Sequence, residues 1–216
     1  MKKKDAIAAI ERHGILLVYP IKNAKEPASL WSALYPRSEM RWEWDAGGDA
    51  RVASLWHLRE ELSRSKQVVY AKWYQGRATF FSRDVFTALR SHFLAQPLPT
   101  GREARELLSL LQESSPQSTK QLKRGTGLVG RALESTYERA MKQLWQQLLI
   151  VGFGEVDEGA FPSLAVGATS LLFEDLEEEA AAMDPARRRK ILTAKIEAAS
   201  KFAKFFGRVS AGVKPT

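Results

Sequence analysis

Residues 103–173 read EARELLSLLQESSPQSTKQLKRGTGLVGRALESTYERAMKQLWQQLLIVGFGEVDEGAFPSLAVGATSLLF. Ala104, Leu107, Leu108 and Leu111 recur at helical spacing, which predicts a helix over 102–112. Ser114-Ser115-Pro116 turns the chain. Ser118-Thr119-Lys120-Gln121 has the form of a capping box: the Ser118 hydroxyl serves the Gln121 amide, and the Gln121 side chain reaches back. A short second helix follows and ends before Gly125. Tyr137, Ala140, Met141, Leu144, Trp145 and Leu148 then mark a third helix over 131–149. A first strand over 150–154, a turn at Asp157-Glu158-Gly159 and a return strand over 163–166 complete the pattern. Helix, helix, long helix and hairpin in this order is the plan of a winged helix.

Working outward, Gln96-Pro97-Leu98-Pro99-Thr100-Gly101 breaks both helix and strand and marks a boundary. Before it, 2–12 predicts a helix stopped at His13-Gly14, and Ile15-Leu16-Leu17-Val18-Tyr19 a strand ended by Pro20. Asp49 is a fitting N-cap for a helix over 50–64, with Leu55, Leu58 and Leu62 inward and Arg59, Glu60 and Arg64 on the other faces. Residues 66–82 predict a hairpin, with strand formers over 68–74, a tight turn at Gln75-Gly76 and a return over 77–81. Ser82 is the expected cap of a helix over 83–94. Beyond the winged unit, Asp184-Pro185 starts a helix running from Ala186 towards Phe206. Its apolar face, Phe202 and Phe206 included, favours docking on the body, and Arg187-Arg188-Arg189-Lys190 leaves a basic arm along DNA as the alternative. The expected fold is α+β, mainly helical, with tandem winged-helix-like units at 1–95 and 102–173 and a helical tail at 174–216.

Composition narrows the function. The formal net charge of +8 favours a polyanionic partner without distinguishing DNA from RNA. Cysteine is absent, which removes disulfides, thiolate nucleophiles and zinc–cysteine sites. His13, His57 and His92 lack paired metal-ligand spacing, and no phosphate-cradling glycine loop or serine nucleophile elbow occurs, so no metal or cofactor is expected. No apolar run is long enough to span a membrane. Glu11, Arg12 and His13 interrupt the segment that a signal peptide would need, so a cytoplasmic location is expected.

The candidate contacts lie in two places. At the hairpin tip, Tyr74 flanked by Lys72 and Arg77 can stack on a base and hold a phosphate. In the winged unit, Arg139, Lys142 and Gln146 on the third helix face a groove, while Lys120, Lys123 and Arg124 sit on phosphates. The segment Trp42-Glu43-Trp44-Asp45 alternates indoles and carboxylates, which makes Glu43 and Asp45 the candidate catalytic acids. The turn at Asp157 and Glu158 is acidic, unlike a phosphate-contacting wing, and leaves a protein-interaction module as an alternative.

With these residues in view, the chain resembles the AlkZ-like winged-helix DNA glycosylases, in particular their short AlkZ-related members. Three stretches carry the likeness: PASLWSALYP at 27–36, LWHLREELSRSKQVVYAKWYQGRATFFS at 55–82, and 102–151, which ends in QQLLIV. The resemblance covers most of 13–173. It implies tandem winged helices, a basic DNA channel and a β-hairpin that probes the duplex at a lesion. Active members of that superfamily carry a Gln-x-Gln motif, whose comparable place here is Leu17-Val18-Tyr19-Pro20. No Gln-x-Gln occurs anywhere in the chain. The expectation is therefore a DNA-binding relative of the glycosylases, with double-stranded DNA as its partner. The alternative is an active glycosylase that works through Glu43 or Asp45, since carboxylates can stabilise an oxocarbenium ion.

Overall fold

The apolar runs of the N-terminal half form the centre of a sheet. Strands β1 (Ile15–Leu17) and β2 (Val69–Ala71) both pair antiparallel with β3 (Thr79–Phe81). Side chains alternate between faces, and both faces are covered. Ile15, Leu17, Val69, Ala71 and Phe81 enter one core, whereas Leu16, Val68, Tyr70 and Phe80 enter a second. That is why these runs are apolar throughout rather than alternating. Helices α1 (Lys3–His13), α2 (Leu30–Leu34) and α3 (Ala50–Arg64) supply the second core. Helix α4 (Arg83–Ala95) supplies the first, with most of the C-terminal half. The computed structural model describes residues 2–42, 48–157, 162–196 and 200–211. It is α+β and mainly helical.

Several start and stop signals act as the sequence predicts. Gly14 ends α1 at φ +78°, a conformation that suits glycine. The Asp49 carboxylate accepts from the Arg51 amide at the start of α3. Ser82 behaves differently. Its hydroxyl bonds the Gly14 carbonyl and Asp84 instead of capping α4, and Asp84 accepts from the Val85 amide.

In the C-terminal half, α5 (Arg102–Glu113) leads to β4 (Gln117–Ser118), α6 (Thr119–Gly125) and α7 (Glu134–Gln146). The capping box forms: the Gln121 amide donates to Ser118 Oγ at 3.1 Å, and the Ser118 amide donates to Gln121 Oε1 at 2.8 Å. Helix α7 is shorter than its apolar pattern predicts, because residues 131–133 form a tight 3-10 turn before it. Strands β5 (Ile150–Asp157) and β6 (Pro162–Ala168) pair antiparallel, and β4 adds to β6.

One antiparallel sheet joins the halves, in the order β1-β3-β2-β5-β6-β4. The junction is narrow, with Tyr70 of β2 opposite Gly152 of β5. Only glycine fits there, since a Cβ at 152 would lie 2.3 Å from Tyr70 Cδ1. Beside this junction Arg59 of α3, only 2% exposed, pairs with Glu155 of β5. Arg64 donates to the Glu155 carbonyl at 2.6 Å, and the Gly154 amide donates to Ser63 Oγ at 2.8 Å. The segment between the halves is also held. Gln143 and Gln147 of the α7 region accept from the Gly101 amide at 2.8 Å and the Leu98 amide at 3.0 Å.

The remaining chain wraps the first core. Helix α8 (Thr169–Leu172) leads into α9 (Glu174–Ala182), whose Glu177 takes two hydrogen bonds from Arg90 of α4 and whose Asp175 pairs with Arg83. The single helix predicted from Ala186 is instead two, α10 (Pro185–Lys195) and α11 (Lys201–Ser210). Ser200 starts the second by accepting from the Ala203 amide at 3.1 Å. The break lets Phe202 and Phe205 bury against Tyr74 and Trp73, with ring centroids 4.9–5.2 Å apart. Among the described residues, no helix is long and apolar enough to cross a membrane.

The Arg59–Glu155 pair yields a stability prediction. Glu155→Ala leaves a buried guanidinium without its carboxylate and is expected to cost roughly 3 kcal/mol, read from the chemical-denaturation midpoint. The double change R59M/E155L, which removes both charges, is expected to cost less than Glu155→Ala alone.

Candidate nucleic-acid interface

Where the two halves meet, the chain leaves a cleft of about 580 Å³. One wall comes from the connection between β2 and β3 and carries Lys72, Trp73 and Gln75. The facing wall is α7, which contributes Tyr137, Glu138, Lys142 and Gln146. Periodicity places these residues. The stripe of Tyr137, Ala140, Met141, Leu144 and Trp145 is buried, so Glu138, Arg139 and Lys142 point outward. Phe205 of α11 reaches the same cleft.

The hairpin that supplies the first wall differs from its prediction. Its strands are three residues each, in the register Val69↔Phe81 to Ala71↔Thr79, and the connection runs from 72 to 78. Gln75 at φ +53° and Gly76 at φ +74° make the reversal. Trp73 and Tyr74 leave the ladder because burial against α11 satisfies their rings better than a solvated tip would. Tyr74 is 4% exposed and covered by Phe202 and Phe205, so its ring is not offered to a base. Trp73 donates from Nε1 to the Gln146 carbonyl at 3.2 Å, which locks the turn to α7. Arg77 stays exposed beyond this turn.

Lys72 stands at the cleft mouth. Its side chain reaches solvent, yet protein surrounds it closely. Desolvation, and then repulsion from the Arg59 guanidinium, hold its pKa below the ordinary lysine value. Arg59 itself departs from the outward position predicted for it. It stacks on Trp56 at 4.0 Å and on Tyr70 at 5.5 Å, and its Nε has no hydrogen-bond partner among the described residues. No local pattern signals this, because Glu155 lies 96 positions further on.

The remaining candidates divide. Lys120 and Arg124 are exposed on α6 beside a shallow depression of about 490 Å³ that also includes Lys123. Lys123 is already engaged: it bonds both Glu134 oxygens at 2.6 and 2.7 Å and lies 4.8 Å from the Tyr137 ring centre. Lys142 and Arg139 are exposed on α7. Among the described residues, Lys72, Lys120, Arg124, Arg139 and Lys142 pair with no carboxylate. The carboxylates of Glu43 and Asp45 lie outside the described residues, as do Glu158 and Gly159 of the acidic turn. Tyr19, at the place comparable to the glutamine motif, donates its hydroxyl to the Val52 carbonyl at 2.8 Å. Burial pushes its pKa up to about 12, so it stays protonated at neutral pH.

A family model described as AlkZ related matches residues 2–208. No curated protein and no solved structure matches the chain.

The placement of Tyr74 has a direct consequence. Tyr74→Ala is expected to cost about 3 kcal/mol of folding stability, as for other buried aromatics. Thermal unfolding followed by circular dichroism measures it, and an unchanged transition would place the ring at a solvated tip instead.

Proposed function

The chain belongs to the AlkZ-related family, kin of the DNA repair glycosylases, and on that premise we propose that it binds duplex DNA across the cleft between its two halves. The observation that carries this reading is the convergence of Lys72 and Lys142 on one cleft from opposite walls, neither paired with a carboxylate among the described residues. Lys120, Arg124 and Arg139 extend the cationic surface over α6 and α7. The order α5, α6, α7, β5, β6 is that of a winged helix, in which the third helix enters a major groove. Here that helix is α7, with Arg139 and Lys142 able to neutralise phosphates along the groove and Gln146 able to reach base edges. Lys120 and Arg124 sit on the backbone, and contacts of that kind supply most of the affinity. Holding DNA needs none of the glutamine chemistry that the sequence lacks.

Five phosphate contacts give a measurable signature. The logarithm of the affinity for duplex DNA is expected to fall against the logarithm of salt with a slope of about −4.5. Lys142→Ala is expected to make that slope shallower by about 0.9. Fluorescence anisotropy across a salt series reads both, and an affinity independent of salt, or no binding to duplex, would overturn the proposal.

A further inference from the structure

Lys72 is more than another phosphate contact by its surroundings. It lines the wall of a cleft large enough for a sugar and its neighbours, with Gln75 beside it and Glu138 and Lys142 opposite. The buried guanidinium of Arg59, which pairs with Glu155, repels the charge of Lys72. No carboxylate among the described residues neutralises Lys72 itself. A partly enclosed amine beside a second cation is a setting in which lysine acts as a nucleophile, because both features favour the neutral amine over the ammonium.

We infer that Lys72 captures the aldehyde of an abasic deoxyribose as an imine, with Lys142 and the cations of α6 holding the flanking phosphates. The inference rests on the DNA-binding reading above and names a substrate class for the same cleft. An abasic site is the sugar left when a base is removed, and its ring-opened form carries a free aldehyde at C1′. The step balances without an oxidant or reductant. The Lys72 ammonium gives its proton to water, and the Nζ lone pair adds to the C1′ carbonyl carbon, forming a carbinolamine. Loss of one water then leaves the C=N bond, protonated as the iminium. The protein packed around the amine, and then the charge of Arg59, favour the neutral form that begins the sequence.

Borohydride tests this, because hydride adds to the iminium carbon and fixes protein to DNA as a stable secondary amine. Full-length protein is incubated with duplex carrying one natural abasic site, with borohydride present, and separated on a denaturing gel. A matched duplex carries the tetrahydrofuran analogue, which has no aldehyde, and binding to it is measured separately by anisotropy. The expected result is a covalent adduct with the natural site, none with the analogue, and attachment mapped to Lys72 by mass spectrometry. Lys72→Ala and Lys72→Arg are expected to lower the adduct at least about tenfold at protein concentrations that saturate the analogue duplex, since neither side chain forms an imine. Lys72→Arg keeps the positive charge, which separates lost chemistry from a lost phosphate contact. An adduct that persists in both variants, or maps to another lysine, overturns the inference. So does tight binding of the analogue duplex with no adduct at the natural site. Failure of the wild-type protein to bind any duplex would instead fall on the DNA-binding reading, and the capture would fall with it.

Discussion

The structure depends on a buried charge. Arg59 and Glu155 come from different halves of the chain and meet beside the single-residue sheet junction of Tyr70 and Gly152. Taking a guanidinium out of water is costly, and its carboxylate offsets that cost only if the geometry is held. The holding is local: Arg64 bonds the Glu155 carbonyl, and Ser63 takes the Gly154 amide. The pair therefore specifies how the halves meet more than it adds to stability. Its position also shapes the site. Among the described residues Glu155 engages only part of the guanidinium, whose Nε has no partner, and its positive charge acts on Lys72. The pair thus joins the two halves that flank the cleft and adds to the burial that lowers the proton affinity of Lys72.

The second wall is set by packing. Trp73 and Tyr74 are pinned under α11, and Trp73 is tied to the Gln146 carbonyl. This holds Gln75 in a left-handed conformation that a non-glycine residue adopts at a cost of about 1–2 kcal/mol. Such a conformation persists only where its surroundings over-determine it, and here the aromatic cluster does so. The C-terminal helices are therefore part of the site's frame. They fix the turn against α7, so Lys72 and Lys142 line one cleft from its two walls, as a preorganised binding site requires.

Much of this was legible in the sequence, for reasons that are local. The capping box at Ser118 and Gln121, the buried stripe of α7 and the apolar runs at 15–18 and 68–71 each announce themselves within a few residues. What was not legible depends on distant partners. Arg59 sits at a helical position that looks solvent-facing, and only Glu155 makes its burial tolerable. Tyr74 reads as a hairpin tip until Phe202 and Phe205 cover it. Lys123 looks as free as Lys120, yet Glu134, placed by the 3-10 turn before α7, occupies it. The split of the last helix follows from Ser200 and from where the phenylalanines must land. Periodicity registers which face of an element is apolar; it does not register which charge on the other face will find a partner.

That distinction bears on how the cations are shared out. The arginines at 59, 83 and 90 are bound to Glu155, Asp175 and Glu177 and serve as joints of the fold. Their planar, delocalised charge suits fixed pairing. At the cleft the facing residues are lysines, Lys72 and Lys142. For holding phosphate alone, arginine would serve at 72 at least as well, since it can bind two oxygens at once. Lysine differs in the one property that its setting exploits: its proton can be removed when burial and a neighbouring cation disfavour the charge. An environment that lowers the pKa of a phosphate-binding residue works against binding, because the neutral amine attracts the backbone less. The charge of Arg59 is thus a liability for a purely electrostatic clamp at Lys72 and an advantage for an amine that reacts there.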